Sequence, residues 1–197
     1  MDKRGRRNVN RPRIVAVGAS AGGLEALSSL LEAMPAGFQL PILVVQHLAP
    51  TRESSLPKLL GHRSALPVQQ VQGGERPLPG HVYIAPPDHH LVVEDGKLAL
   101  TQAEPVRFSR PSVDVLFESV AKSFDGGVIG VILSGGGSDG TEGARAIREA
   151  GGRVVAQDRG TATNFGMPGS AAAAGVTDAV LSVHGIASYL EEETREL

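Results

Sequence analysis

The 197-residue sequence contains no cysteine and no tryptophan, and it has no long hydrophobic run. The absence of cysteine excludes disulfides, thiolate nucleophiles and zinc sites that use cysteine ligands. No apolar run approaches the roughly 20 residues that a membrane helix requires, and the N-terminus lacks the apolar core of a signal peptide. We therefore expect a cytoplasmic protein that does not insert directly into a membrane.

The remaining composition is that of a globular domain, with 41% hydrophobic residues, 20% charged residues and 25 glycines. Six basic residues and one acidic residue lie within residues 1–13, so the net charge of −2 hides an asymmetry. The rest of the chain has 13 of the 19 basic residues and 20 of the 21 acidic ones, which argues against general nucleic-acid binding. We interpret residues 1–13 as a basic disordered tail and residues 14–197 as a single domain.

Buried apolar runs alternate with helical patterns along this domain. Continuous apolar runs at 14–17, 40–46 and 128–133 predict strands, and leucines at helical spacing over 24–34 predict the first helix. The same criteria predict further strands at 65–71, 153–157 and 179–181, and further helices at 53–60, 112–124, 141–150 and 185–197. This alternation predicts an α/β fold, doubly wound, with a mainly parallel sheet and helices on both faces.

The segment in the middle of the chain has a different pattern. Short strands are expected at 81–85 and 91–93, and Asp95-Gly96 is a hairpin turn signal before a returning strand at 97–100. The sequence therefore predicts a small antiparallel hairpin insertion around 81–100.

A glycine-rich turn joins the first strand to the first helix. Gly18, Gly22 and Gly23 allow a sharp change of direction, and they place Ser20 near a helix N-terminus. On this stretch alone three interpretations stay open. Ser20 is a nucleophile at an exposed turn, part of a loop that holds a phosphate, or a helix-capping residue.

Two other polar residues follow buried strands. His47 ends the second strand, and Asp139 lies in the glycine-rich segment after the strand at 128–133. In a parallel sheet, Ser20, His47 and Asp139 share the carboxyl edge, where open α/β sheets bind ligands. His47 would take the proton of Ser20, and Asp139 would fix the tautomer of His47. Taken singly, His47 could be a structural residue and Asp139 could cap a helix, since Glu142 follows at capping-box spacing.

The other histidines are weaker candidates for a base or a ligand. His89 and His90 lie in the hairpin region, His184 follows the last strand, and His62 and His81 lie in loop-like contexts. No two histidines have the helical i, i+4 spacing of a metal site, and no acidic cluster accompanies His89 and His90. We expect neither a metal nor a cofactor.

Six motifs occur in an order that makes a family resemblance specific. They are Val17–Gly23, Val45–Pro50, Tyr83–His90, Arg110–Phe117, Leu133–Gly140 and Phe165–Pro168. Together they resemble the catalytic domain of CheB-type chemotaxis receptor methylesterases, over about residues 13–190. The family's catalytic serine, histidine and aspartate fall on Ser20, His47 and Asp139.

The resemblance implies a serine hydrolase that demethylates γ-glutamyl methyl esters on the cytoplasmic helices of chemoreceptors, releasing methanol. Some members also deamidate receptor glutamines. Backbone amides of the glycine-rich loops would hold the oxyanion, with Ala21, Gly22, Gly136 and Gly137 as candidate pocket residues. Many members have threonine at the position of Ala21 and methionine at that of Gly136. A catalytically weak or silent receptor-binding scaffold of the same fold is therefore the alternative.

Two further expectations concern regulation and a competing class. Full-length members carry an N-terminal receiver domain, whereas about 13 residues precede the first strand here. We expect an accessible site, or control by a receiver protein acting in trans.

A nucleotide-binding module is disfavoured, because the loop at 18–23 is not a G-x-G-x-x-G fingerprint and no acidic residue follows the second strand.

Overall fold

The fold is built on a seven-stranded parallel sheet, and the computed structural model describes residues 13–48 and 55–195. Its strands are β1 (Ile14–Ala19), β2 (Ile42–Gln46), β3 (Val68–Gln70), β4 (Val82–Ile84), β7 (Val128–Ile132), β8 (Arg153–Gln157) and β9 (Ala179–Leu181). Their order in the sheet is β3-β4-β2-β1-β7-β8-β9. A separate antiparallel pair consists of β5 (His90–Glu94) and β6 (Lys97–Thr101).

Helices cover both faces of the sheet. They are α1 (Gly23–Ala33), α2 (Leu56–Gly61), α3 (Val113–Phe124), α4 (Thr141–Glu149), α5 (Gly166–Ala173) and α6 (Val183–Thr194). Alternate residues of β1 enter different cores: Val15 and Val17 pack with α1 and α6, whereas Ile14 and Ala16 pack with α3 and α4. Because a strand's side chains point to opposite faces in turn, this alternation confirms the doubly wound prediction.

The strand order reverses direction beside β1. The chain passes from β1 to β2 on one side and returns to β7 on the other, so Val17 pairs with Val44 and with Val131. Adjacent carboxyl ends with connections that diverge leave a crevice at this edge. The first residue of helix α3 packs against β1 near this edge, since Gly18 lies against the Val113 side chain with no room for a Cβ atom.

Two elements differ from the sequence-based prediction. The predicted hairpin insertion at 81–100 is wrong at its start, because β4 pairs in parallel with β2 and β3. Val82, Tyr83 and Ile84 are all buried, as expected of a strand inside a parallel sheet, and the antiparallel pair covers only 90–101. Helix α5 was not predicted, because its first turn contains Gly166, Pro168 and Gly169, which are poor helix formers.

Residues 1–12, 49–54 and 196–197 lie outside the described residues. They include most of the predicted tail, the end of the motif Val45–Pro50, the start of the helix predicted at 53–60 and the end of the helix predicted at 185–197. Arg13 is described, and its backbone N–H and guanidinium donate to the carbonyls of Gly127 and Phe124 at 2.8 and 2.6 Å. Among the described residues, none of the helices has both the length and the apolar character needed to cross a bilayer.

Candidate active site

Ser20 lies at the carboxyl end of β1, in the turn before α1. Its backbone N–H donates to the Ser134 carbonyl at 2.9 Å, and its carbonyl accepts from Gly23 N–H at 2.8 Å. Gly22 has a φ of 77°, and a Cβ atom there would lie 2.5 Å from the Thr163 Cβ atom. Glycine is therefore required at this position, and the turn holds the half-buried Ser20 side chain at the sheet edge.

His47 lies directly after β2, and its ring faces Ser20. Its Nδ1 atom is 3.2 Å from Ser20 Oγ, and its backbone N–H donates to the Ala19 carbonyl at 3.0 Å. One buried amide holds both residues, because Gln46 Nε2 donates to the carbonyls of Ser20 and His47 at 2.8 and 3.0 Å. The serine and the histidine are therefore fixed to each other through the backbone as well as through their side chains.

Asp139 completes the row, and the positive end of a helix supports its carboxylate. Its Oδ2 atom accepts from His47 Nε2 and from Val113 N–H, both at 2.7 Å. Its Oδ1 atom accepts from Ser112 Oγ at 2.9 Å and from Asp114 N–H at 3.0 Å. Apart from His47, these donors belong to the N-cap and first turn of α3, where free N–H groups and the helix dipole favour a negative charge.

The alternative reading of Asp139 as the cap of its own helix is wrong. Gly140 occupies the N-cap position of α4, and Asp139 instead caps α3. Glu142 does not form a capping box, because its carboxylate accepts from Arg145 Nε at 3.3 Å.

The electrostatics of Asp139 follow from these contacts. Burial alone would raise the pKa of this carboxyl, but the hydrogen bond from His47, the N–H groups of Asp114 and Val113, and the His47 charge outweigh it. The pKa of Asp139 is lowered to about 2. Asp139 is therefore an anion at neutral pH and acts as an acceptor toward His47.

The hydrogen-bond partners also assign the tautomer of His47. Because Nε2 faces the carboxylate of Asp139, the proton of the neutral ring is on Nε2. Nδ1 is then free to accept the proton of Ser20 Oγ. The two ring nitrogens have exchanged roles relative to the chymotrypsin-type triad, where Nε2 faces the serine.

A second buried carboxylate, Asp114, supports the first. Its Oδ1 atom accepts from the N–H groups of Gly140 and Gly143 at 2.9 and 2.8 Å, so it caps α4. Arg107 Nε donates to its Oδ2 atom at 3.3 Å. Burial raises the pKa of Asp114, and the negative charge of Asp139 adds to this effect, whereas the Gly143 N–H and Arg107 oppose it.

His90 has a supporting contact with this site. It is 1% exposed, and its Nδ1 atom accepts from Ser112 N–H at 3.1 Å. Its Nε2–H donates to the Glu104 carbonyl at 3.2 Å. His90 thus orders the residue whose hydroxyl donates to Asp139. His89 is less connected and hydrogen-bonds only the Pro87 carbonyl through Nδ1, at 3.0 Å, among the described residues.

The predicted oxyanion residues lie on two loops beside Ser20. The N–H groups of Ala21 and Gly22 have no acceptor among the described residues. Gly135 connects the second loop to Ser20, since a Cβ atom on Gly135 would lie 2.9 Å from Ser20 Cβ. Gly136 is more open, with Asn164 Nδ2 at 3.5 Å from an added Cβ, and Gly137 adopts a φ of 79°.

A cleft of about 150 Å³ opens beside His47. Its lining includes His47 and Leu48 after β2 and the loop residues Phe108, Ser109 and Arg110. Within the described part of the chain, no group of three or more histidine, aspartate or glutamate side chains is arranged to hold a metal ion.

Several residues of this site were missed by sequence reasoning. Gln46, Ser112, Asp114 and Gly135 all lie inside the six ordered motifs, but no role had been assigned to them. A hydrophilic residue at the end of an apolar strand, as at Gln46, is the one local signal that could have identified any of them. The others depend on contacts between distant segments.

Comparison with known proteins finds related sequences over most of the chain. The family model described as CheB methylesterase matches residues 15–190. The "Protein-glutamate methylesterase/protein-glutamine glutaminase 4" of Myxococcus xanthus is 42% identical over 94% of this chain and 53% of its own length. The "Protein-glutamate methylesterase/protein-glutamine glutaminase 3" of Anaeromyxobacter dehalogenans is 46% identical over 93% of this chain and 54% of its own length. The chain thus spans about half the length of the curated relatives it matches.

The structural comparison covers nearly all of both chains. The crystal structure of the Thermotoga maritima CheB methylesterase catalytic domain superposes with a TM-score of 0.88 at 38% identity. The superposition covers 92% of this chain and 98% of the Thermotoga domain. Family match, sequence identity and fold agree, and the chain belongs to the CheB methylesterase family.

Proposed function

We propose that this chain hydrolyses γ-glutamyl methyl esters on the cytoplasmic helices of chemoreceptors. The observation that carries the proposal is the row of three side chains, with Ser20 Oγ 3.2 Å from His47 Nδ1 and His47 Nε2 2.7 Å from Asp139 Oδ2. The names of the relatives, protein-glutamate methylesterases, support the choice of substrate.

In the first half-reaction, Ser20 Oγ attacks the ester carbonyl while its proton moves to His47 Nδ1. Asp139 stabilises the imidazolium that forms. The tetrahedral intermediate then collapses, its bond to methoxide breaks, and His47 returns the proton so that methanol leaves. A glutamyl ester of Ser20 remains.

In the second half-reaction, water replaces methanol. His47 Nδ1 takes a proton from the water while the hydroxide adds to the glutamyl carbonyl. The bond to Ser20 Oγ then breaks, and His47 returns the proton to Ser20 Oγ. The products are a glutamate side chain and the regenerated serine. The same acyl intermediate forms from glutamine with loss of ammonia, so deamidation belongs to the same proposal, as the relatives' second name suggests.

The developing negative charge on the carbonyl oxygen requires donors that are already in place. The free N–H groups of Ala21 and Gly22 are positioned beside Ser20, and Gly136 and Gly137 lie on the neighbouring loop. Each such donor is worth roughly 3–4 kcal/mol of transition-state stabilisation in other hydrolases. Backbone donors supply this contribution even where Ala21 and Gly136 lack a functional side chain.

The place of action follows from the substrate. We propose that the chain works in the cytoplasm and binds the cytoplasmic domain of the methylated receptor. Nucleic acid is not part of the proposal, because residues 14–197 carry more acidic than basic residues. Control by a receiver protein in trans stays a prediction.

Methanol release from a methylated receptor fragment tests this function. Wild type should release methanol, whereas Ser20→Ala, His47→Ala and Asp139→Asn should each lose at least about 10³-fold in kcat. The wild-type rate should also decline on acidification, since a protonated imidazole cannot accept the serine proton. An inactive wild type that still binds the receptor would instead favour the scaffold alternative. Full activity in Ser20→Ala would contradict the mechanism.

A further inference from the structure

A tight turn over residues 106–109 borders the cleft. Val106 and Ser109 exchange backbone hydrogen bonds of 3.1 and 2.8 Å. Arg107 and Phe108 form the tip, with φ values of 48° and 64°. Both values lie in the left-handed region, where two-residue hairpin turns usually place asparagine and glycine. Two long side chains in this unfavourable backbone conformation indicate that the side chains themselves have a functional role.

Arg107 fixes this turn to the surroundings of Asp139. Its Nε atom donates to Asp114 Oδ2 at 3.3 Å, and its guanidinium donates to Ser138 Oγ at 3.2 Å. Ser138 directly precedes Asp139, and Asp114 donates its backbone N–H to it. The tip is therefore held in one position relative to the candidate active site before any partner binds, which lowers the ordering cost of binding.

Phe108 is the most exposed large apolar side chain among the described residues. Its relative exposure is 105%, against 53% for Leu78, the next most exposed. Phe108 is one of the residues that line the same cleft as His47. A fully solvated aromatic side chain on a turn that is held in place gains favourable free energy when a partner covers it, and aromatic residues are enriched among the side chains that dominate interface energetics.

The charges around the turn favour a neutral apolar partner over an anion. Arg110 donates to Asp88 Oδ1 from Nε at 3.0 Å and from its terminal nitrogen at 2.7 Å. Arg107 is paired with Asp114. Each arginine therefore has its charge balanced by a carboxylate. The cleft then has no unpaired positive charge that would bind a free carboxylate more tightly than a neutral methyl ester.

We propose that Phe108 is a docking contact for the receptor helix that carries the methylated glutamate. The cleft of about 150 Å³ receives the ester side chain next to His47. The Phe108 ring packs on apolar side chains of the same helix, three or four positions from the glutamate, which lie on one helical face. The inference rests on the proposed function, because it identifies the surface through which that substrate binds.

The experiment compares a large and a small substrate. Methanol release is measured from a methylated receptor fragment and from the γ-methyl ester of N-acetyl-glutamate amide. Phe108→Ala should reduce kcat/KM for the receptor at least about tenfold more than for the small ester, mainly through KM. Phe108→Leu should recover most of the loss. Leu78→Ala is the matched control, because Leu78 is exposed but precedes β4 at the opposite edge of the sheet.

A binding measurement separates this inference from the proposed chemistry. In a Ser20→Ala background, Phe108→Ala should weaken binding of the methylated receptor fragment about tenfold or more, whether or not wild type proves to be an esterase. Equal losses on the two esters would place Phe108 in the chemistry and overturn the docking role. Unchanged receptor affinity, or no receptor binding by Ser20→Ala, would overturn it as well.

Discussion

At the scale of single residues, hydrogen bonds fix the orientation of the side chains in the site. Asp139 accepts four hydrogen bonds, from His47, Ser112, Val113 and Asp114. All the acceptor directions of a carboxylate facing α3 are thereby used, so its orientation is fixed. That orientation in turn fixes which nitrogen of His47 faces Ser20.

Gly135 provides a prediction at this scale. An added Cβ atom would overlap Met167 Sδ and lie 2.9 Å from Ser20 Cβ, so either the loop or the serine must move. Because a displacement of about 1 Å can cost about 10²-fold in rate, we expect Gly135→Ala to lower kcat at least about 100-fold in the methanol-release assay. Gly37→Ala is the control, since nothing lies within 4 Å of its added Cβ. A Gly135→Ala enzyme with wild-type kcat would show that Ser20 is not held by this contact.

Two of the three predicted triad residues stand at strand ends. Ser20 and His47 directly follow apolar strands, so their shared edge could be predicted from the parallel sheet alone. Asp139 is harder, because it lies seven residues beyond the end of β7 at Ile132. Its approach to His47 depends on the loop at 133–140 and on α3, and local patterns do not encode such contacts. The orientation of the His47 ring likewise depends on tertiary structure.

At the scale of elements, α3 and α4 cap each other. Asp139, which precedes α4, accepts from the first N–H groups of α3, and Asp114, in the first turn of α3, accepts from N–H groups of α4. Each helix thus satisfies its free donors with a carboxylate from the other. The two helices also pack directly, since Gly143 lies against Phe117 and Asp114 with no room for a Cβ atom. The loop that holds Asp139 is therefore fixed by both helices.

Variants of Asp114 test this reciprocal capping. Asp114→Ala should lower the free energy of unfolding by about 1–2 kcal/mol through loss of the cap, and it should lower kcat by loosening the Asp139 loop. Asp114→Asn keeps an acceptor for the two N–H groups and should retain more of both. The measurement is urea unfolding together with methanol release. Asp114→Ala with wild-type stability and rate would rule out a structural role for the cap.

The stability contributed by the two buried carboxyls, Asp114 and Asp139, is expected to depend on pH in opposite directions. Burial raises the pKa of Asp114 above 3.8, so the folded state binds this proton more tightly than the unfolded state. The resulting contribution to the free energy of unfolding is present below pH 3.8 and is lost as the pH rises through the raised pKa. For Asp139, whose pKa is lowered to about 2, the stability is present above 3.8 and is lost as the pH falls toward 2. Relative to Asp139→Asn, wild type should therefore lose about 2 kcal/mol of stability between pH 5 and pH 2. Relative to Asp114→Asn, wild type should lose stability as the pH rises above 3.8 and through the raised pKa of Asp114.

Sequence reasoning was least accurate for elements whose environment decides their pairing. The 81–85 segment has the apolar pattern of a strand, but its partner could not be read from the pattern. Its residues Val82–Ile84 pair with β2 and β3 inside the main sheet, and all three are therefore buried. The helix α3 was predicted within one residue, since apolar residues recur at helical spacing from Val113 to Phe124.

At the scale of the whole molecule, the site is a consequence of sheet topology. Strands β2, β1 and β7 stand side by side and end at one edge, and apart from Gln46 at the end of β2 they carry no polar side chain. Connections leave β1 and β7 in opposite directions, which opens a crevice where Ser20 and Asp139 meet His47. The alternation of strands and helices was enough to predict this architecture. The register of the strands and the closure of the cleft by the 105–111 loop were not predictable, because they depend on packing between distant segments.

The central claim is that Ser20 is the nucleophile and that His47 activates it. Labelling with a fluorophosphonate tests this claim most directly, because Ser20 Oγ would displace fluoride and form a stable phosphonyl ester. Mass spectrometry of the digested protein should find the label on Ser20, and His47→Ala should react about 10²- to 10⁴-fold more slowly. Label on a different residue, or an unchanged rate in His47→Ala, would contradict the account.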